Sequence, residues 1–350
     1  MKIILFEDSA QYESSLLVAL NNELAQNGQA LLFKAVQSGD AIYEERLEND
    51  LVQITYQGAQ LIVADRDLSK LSLYGGLSEP TVRRVADKLG IPECGYARGE
   101  REVEFLHNDK WRESRIAVTL DGNDQQFAKQ VVSIGEGFKF ILEALPTAMK
   151  LPGKKSVGKI LSTILGKPEY GEKIALYASG DQNRLTSVFA VGKDDDQGAR
   201  RLSCLLGYWL WDSVLRYPGV FVNEVAASSY LDIKAEVFGD SQIQQLFQSA
   251  RYQGPFAGAK AALWWRGMLD DIVAGSAAPN GREFAVAKLN REIHRSECCE
   301  DPQKSAGYYC MLSGKPVSLD NSKPGVTWFP RGADLARISS RKYEEDVPWL

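Results

Sequence analysis

Two short apolar runs constrain this chain more than any other feature. Ile3-Ile4-Leu5-Phe6 is apolar at every position, and Leu61-Ile62-Val63-Ala64 repeats the pattern. A strand with one face in water alternates apolar and polar residues, whereas a strand covered on both faces has no polar position. Unbroken runs of this length predict inner strands of a parallel sheet with helices on both sides. Each run ends on carboxylates: Glu7 and Asp8 follow the first, Asp65 and Asp67 the second.

The segments between fit that class. Leu16, Leu17, Leu20 and Leu24 recur at helical spacing over 14–24. A helix is predicted over 79–89, with Pro80 in its first turn and Gly90 as its stop. Ile91-Pro92 opens a further strand, and Ile116–Leu120 is another. Strands alternating with helices predict an α/β fold with a parallel sheet.

From Asp124 the period becomes helical, with Phe127, Val131, Ile134, Phe138, Ile141 and Leu145 in one stripe that should end before Pro146. The segment 146–156, with Pro146, Pro152, Gly153, Lys154 and Lys155, is the expected boundary between an α/β domain at 1–145 and a mostly α-helical domain at 156–350. Helical spacing recurs there over 157–164, 198–217, 223–230, 241–251, 258–274 and 282–296. The last 50 residues read as loop-rich. Trp209, Trp211, Trp264 and Trp265 lie on helical stripes and read as core.

Charge and composition narrow the function classes. The net charge is −5; residues 1–150 carry 16 basic and 23 acidic side chains, a net of −7. No dense Lys/Arg stripe is present, so a nucleic-acid partner is not expected. The longest membrane-like stretch, 202–211, stops at Asp212, well short of the roughly 20 residues a span needs. The apolar start is also too short for a signal-peptide core, so a cytoplasmic chain with no membrane partner is expected. Five cysteines in a chain this long do not read as a disulfide framework. Adjacent Cys298-Cys299, with Cys310 and His294, lacks the pair spacing of structural zinc sites. No glycine-rich phosphate loop and no Ser/His/Asp arrangement is evident, so no catalytic residue is assigned.

Ligands of open parallel sheets bind beyond the carboxyl ends of the strands. Carboxylates gathered there from two strands repel one another unless a cation joins them. A hard cation with oxygen ligands, Mg²⁺, is the natural partner of Glu7, Asp8, Asp65 and Asp67.

Ile3-Ile4-Leu5-Phe6-Glu7-Asp8-Ser9 resembles the opening of a response-regulator receiver domain, the phosphoacceptor module of two-component signalling. Leu61-Ile62-Val63-Ala64-Asp65, followed by Leu68-Ser69, resembles that family's third strand. Over about 1–125 the resemblance implies Asp65 as phosphoacceptor, Glu7 and Asp8 on the metal side, and the Asp67 backbone carbonyl as a further Mg²⁺ ligand. It also implies a protein partner, a histidine kinase or phosphotransfer protein. The chain departs from the family in three places. The 57 residues from Asp8 to Asp65 imply an insertion near 38–57. Ala97 or Tyr96 stands where the family has Ser or Thr. No Lys lies near 116–120, where Thr119 is nearest. The resulting expectation is a signalling regulator or adaptor with weak or absent phosphorylation-driven switching and a protein-binding remainder. The same residues carry a second resemblance. Glu7 with Asp65-x-Asp67 also resembles the metal site of the Toprim fold, which implies Mg²⁺-dependent phosphodiester chemistry.

Overall fold

The structure, a computed structural model, describes residues 1–34, 43–53, 56–66, 68, 77–98, 116–150, 156–178, 196–325 and 328–346. The chain divides into two compact units. The first comprises Met1–Gly153, Asn183–Asp212 and Gly254–Lys260; the second comprises Lys154–Gln182, Ser213–Gln253 and Ala261–Leu350. The units differ from the expected 1–145 and 156–350 because two later segments join the first. Residues 151–155 lie outside the described residues.

The first unit holds a five-stranded sheet built from β1 (Lys2–Phe6), β2 (Gln29–Leu32), β3 (Leu61–Asp65), β4 (Glu93–Arg98) and β5 (Ile116–Leu120). Their order is β2-β1-β3-β4-β5, and every pairing is parallel. This is a doubly wound sheet whose order reverses between β1 and β3. Ile3, Ile4, Leu5, Phe6 and Leu61 through Ala64 are fully buried, as inner strands must be. Side chains alternate across the sheet. Ile4, Phe6, Ile62 and Ala64 join one core with Leu47 and Leu51 of helix α2 (Tyr43–Val52) and Val82, Val85 and Ala86 of α3 (Glu79–Leu89). Helix α1 (Ala10–Leu24) packs against α4 (Asp124–Met149).

Local chemistry sets several ends. Gly90 closes α3 at φ +66°, a left-handed conformation that favours glycine, and its N–H returns to the Ala86 and Asp87 carbonyls. Asn123 caps α4 by accepting the Gln126 N–H at 3.0 Å. That helix does not stop before Pro146; it runs on to Met149. The proline removes one backbone donor, but Leu145 and Ala148 on the same stretch are almost fully buried, which offsets the loss. The strand β2 and helix α2 were not legible as elements, and the expected insertion near 38–57 coincides partly with α2. Residues 35–42 and 54–55 lie outside the described residues.

The stripe expected over 198–217 forms a helix at Asp196–Trp209 followed by a π-helical turn at Leu210–Val214. The helix joins the first unit because Gly207 lets it approach α4, where the Phe138 and Tyr208 rings meet edge to face at 5.2 Å. On the same helix α4, Gly137 lies against Phe256 from the 254–260 segment.

The second unit is not simply helical. It contains helices Val157–Ile164, Glu224–Tyr230, Arg266–Ala274 and Gly281–Leu289, but also two small sheets. One pairs β6 (Phe221–Asn223) with β7 (Leu263–Trp265); the other has the order β10-β11-β8-β9, from Ser322–Pro324, Ala336–Ser339, Tyr308–Cys310 and Pro316–Val317. The loop-rich end therefore contains a mixed sheet. The helix expected over 258–274 begins only at Arg266, because Leu263, Trp264 and Trp265 pair with Asn223, Val222 and Phe221. A short apolar run fits either period, and here strand pairing wins. The helix expected over 282–296 ends at Leu289, where Asn290 adopts a left-handed cap at φ +49°. Trp264 centres the unit's core with Phe238 and Phe247, and Trp265 is buried too, both on β7 rather than on a helical stripe; of the two tryptophans expected on the 198–217 stripe, Trp209 is buried and Trp211 only half-buried. Among the described residues, no helix is long and apolar enough to cross a membrane.

The Gly137 contact gives a direct test. An alanine methyl there would overlap the Phe256 ring and lie 2.9 Å from the Phe256 backbone nitrogen. Alanine improves helix propensity by about 1 kcal/mol, but overpacking against backbone costs about 1–3 kcal/mol. Gly137→Ala should therefore lower stability in urea denaturation by up to about 2 kcal/mol; a variant more stable than wild type would contradict this packing.

Candidate functional site

Three of the four acidic residues expected at the two strand ends, Glu7, Asp8 and Asp65, meet in the structure. Register explains why. Phe6 pairs with Ala64, so the next residues, Glu7 and Asp65, come side by side; Asp65 in turn pairs with Tyr96 on β4. Glu7, Asp65 and Tyr96 thus form one row across three strands, at the carboxyl edge where the sheet order reverses. Glu7 and Asp65 are buried, with 3% and 6% of their surface exposed, while Asp8 is half-buried.

One carboxylate oxygen from each of Glu7, Asp8 and Asp65 lies within 4.8 Å of the others. No other group of three or more His, Cys, Asp or Glu side chains among the described residues is close enough to share an ion. Asp67 lies outside the described residues. Cys298 and Cys310 are buried, and the Cys310 sulfur accepts the Ser339 N–H at 3.2 Å.

Glu7 is held on both oxygens. The Ser9 N–H donates to Oε1 at 2.8 Å and the Tyr96 hydroxyl donates to Oε2 at 2.6 Å. The second distance is that of a charge-assisted O–H···O⁻ bond. Neighbouring strands are about 4.8 Å apart, so the phenol spans β3 to reach a residue two strands away. Its ring meets Phe127 of α4 edge to face at 5.2 Å, which fixes the reach. A carboxylate has about four acceptor sites, more than these two bonds use.

The donor set fits Mg²⁺. All three ligands are hard oxygens, and two are too buried to be neutralised by bulk water. At 4–5 Å and an effective dielectric near 20, each pair of charges repels by about 3–4 kcal/mol, a cost that a divalent cation offsets. Opposite ligands of one Mg²⁺ stand about 4.2 Å apart, twice the 2.1 Å bond length. Oxygens that all lie within 4.8 Å of one another are close to that limit, and this ion commonly completes its shell with water.

Sequence reasoning assembled the three carboxylates but missed the donors. Tyr96 stood out only as one of two residues at the fourth-strand hydroxyl position. Its role on Glu7 depends on cross-strand register, which composition and periodicity do not carry. Thr119 lies on β5 as expected, and no lysine occurs in that strand.

No family model, no curated protein and no solved structure matches the chain.

The Tyr96–Glu7 bond predicts a cost for its removal. Tyr96→Phe keeps the ring against Phe127 but leaves a buried carboxylate short of one donor. Hydrogen bonds to charged groups contribute about 1.5–3 kcal/mol, so the variant should lose stability by that order in chelator-containing buffer. Unchanged urea unfolding would show that the phenol does not hold Glu7.

Proposed function

We propose that the first unit is a receiver-like signalling domain in which Asp65 accepts a phosphoryl group beside Mg²⁺ held by Glu7 and Asp8. The convergence of these three carboxylates at the β1/β3 switch point carries the reading. The strand order 2-1-3-4-5 supports it, being the flavodoxin-like order that places ligands at this edge. The matching of the apolar runs to β1 and β3, each followed by its acidic residues, supports it as well.

The chemistry suits the residues. An Asp65 carboxylate oxygen attacks phosphorus. A P–O bond forms as the P–N bond to a donor imidazole breaks, and the imidazole nitrogen takes up a proton. The protein positions the acceptor at the end of a rigid buried strand, and Glu7 and Asp8 stand beside it. Bound Mg²⁺ would supply the charge neutralisation on which phosphoryl transfer chiefly depends.

The opposite wall differs from the family pattern. Strand β5 offers Thr119 and no cation, so an acyl phosphate on Asp65 gains no lysine from it. The Tyr96 hydroxyl is engaged with Glu7 rather than presented to an incoming group. A two-state element moves only as far as the ligand's differential contacts drive it. We therefore assign weak phosphorylation-driven switching to this domain. The remainder of the chain, with a net charge of +2 and no basic stripe over 151–350, is assigned to constitutive protein contact.

The experiment uses the full chain, Mg²⁺ and acetyl phosphate, with incorporation read as an 80-Da-class mass increment (about 80 Da, one HPO₃) labile to base. Incorporation is expected in wild type and lost both in Asp65→Asn and in EDTA. Equal incorporation in Asp65→Asn would remove Asp65 from the acceptor role. A large phosphorylation-induced change in hydrogen exchange along α4 would contradict weak switching.

A further inference from the structure

A second acidic pair lies in the same unit, on the opposite face of the sheet from Tyr96. Glu93 opens β4 and Glu79 opens α3; they are 1% and 4% exposed. Both side chains lie over Gly95. A methyl placed on Gly95 would sit 3.6 Å from Glu93 Oε1 and 3.8 Å from Glu79 Oε1, so the two oxygens are no more than about 7.4 Å apart. Glu93 Oε1 has no hydrogen-bond partner among the described residues, and neither do Nε and Nη1 of Arg83, the nearby cation. An ionised Glu93 would thus be a buried charge facing another carboxylate without a bonded counter-ion.

From α3, Glu79, Arg83 and Asp87 act on Glu93. The residues paired with β4 here are Ile62 and Val63 of β3 and Ile116 of β5, all apolar. From the helix Asp196–Trp209, Tyr208 faces the group, with Cys204 beside Tyr208 and Arg200 beside Cys204, and Cys94 adjoins Glu93 on β4. Burial pushes the Tyr208 phenol and both thiols well up, so these stay neutral. Burial likewise pushes the Glu93 carboxyl well above the usual range. Glu79 pushes it further, Arg83 opposes, and Asp87 adds to the rise.

Glu93 is also where a distant helix docks. The Tyr208 hydroxyl accepts the Glu93 N–H at 2.6 Å and donates to the Glu93 carbonyl at 3.1 Å. These backbone groups lie just ahead of the first β4–β5 pair, Cys94 with Ile116, so the phenol replaces a strand neighbour. Along the same seam the Arg201 and Gln197 side chains donate to the Lys88 carbonyl.

We infer that the Glu79–Glu93 pair retains one proton, carried on Glu93, at pH values where other glutamates have lost theirs, making the seam between α3, β4 and the helix Asp196–Trp209 a pH-sensitive lock. The inference does not depend on the phosphoacceptor reading. A carboxyl whose folded pKa is raised binds a proton more tightly in the folded state. Its contribution is fully present below the unfolded glutamate value of about 4.3 and is lost as pH rises through the folded value. Within that window the folded-to-unfolded ratio falls up to about tenfold per pH unit for one proton.

The test is urea unfolding of the full chain from pH 5 to pH 8, with wild type, Glu93→Gln and Glu79→Gln. The difference between wild type and Glu93→Gln should change by up to about tenfold in the unfolding constant per pH unit, in favour of the variant as pH rises. Glu79→Gln removes a like charge, makes Glu93 easier to ionise and should move the pH dependence of the variant's stability to lower pH than in wild type. Infrared spectroscopy at neutral pH should show a protonated carboxyl band in wild type that Glu93→Gln removes. Parallel stability curves for wild type and Glu93→Gln would overturn the inference. Should Glu93→Gln not fold, an absent carboxyl band in wild type, or an unmoved transition in Glu79→Gln, would overturn it equally.

Discussion

Mutual repulsion among three carboxylates at the ends of two buried strands is the constraint around which the first unit is organised. Glu7 and Asp65 cannot move apart, because β1 and β3 are adjacent and their register places these residues side by side. They cannot be hydrated freely either, because both are buried. The structure offsets part of this cost with the Ser9 N–H and the Tyr96 hydroxyl on Glu7. What remains is a concentrated negative site at the edge where a doubly wound sheet takes its ligands.

Tyr96 ties that site to the packing. Its hydroxyl is on Glu7, its ring is against Phe127 of α4, and its backbone pairs with Asp65. One side chain thus links the acidic row to the longest helix of the unit. On the other face of the same strand, the Glu93 and Glu79 carboxyls both lie over Gly95, and Tyr208 brackets the Glu93 backbone. Strand β4 therefore carries a polar network on each face. Buried polar networks of this kind fix geometry when satisfied and respond to charge changes when not.

Much of this was legible in the residues. Ile3–Phe6 and Leu61–Ala64 announced buried parallel strands because no polar residue interrupts them, and their carboxylates followed at once. Pro80 and Gly90 bracketed α3 correctly because each has a single strong backbone reason to be there. The strand Gln29–Leu32 escaped notice because Gln-Ala-Leu-Leu is too short and too helix-compatible to declare itself. Leu263-Trp264-Trp265 was misread because its partner, Phe221–Asn223, lies some forty residues away and only pairing decides the period. The recruitment of Asp196–Trp209 to the first unit rests on Gly207 meeting Phe138 and on Tyr208 meeting Glu93, contacts that no local pattern encodes. The same holds for the Tyr96–Glu7 bond, which spans two strands.

We propose that Glu7, Asp8 and Asp65 form one divalent-cation site. Mn²⁺, an oxygen-preferring ion with a spectroscopic signal, reads this most directly: titration of the full chain followed by electron paramagnetic resonance counts bound ions without any requirement for phosphoryl transfer. The account predicts one saturable ion per chain, displaced by Mg²⁺ and lost in Asp65→Asn. Saturable binding that persists unchanged in Asp65→Asn, or no binding by wild type, would contradict it.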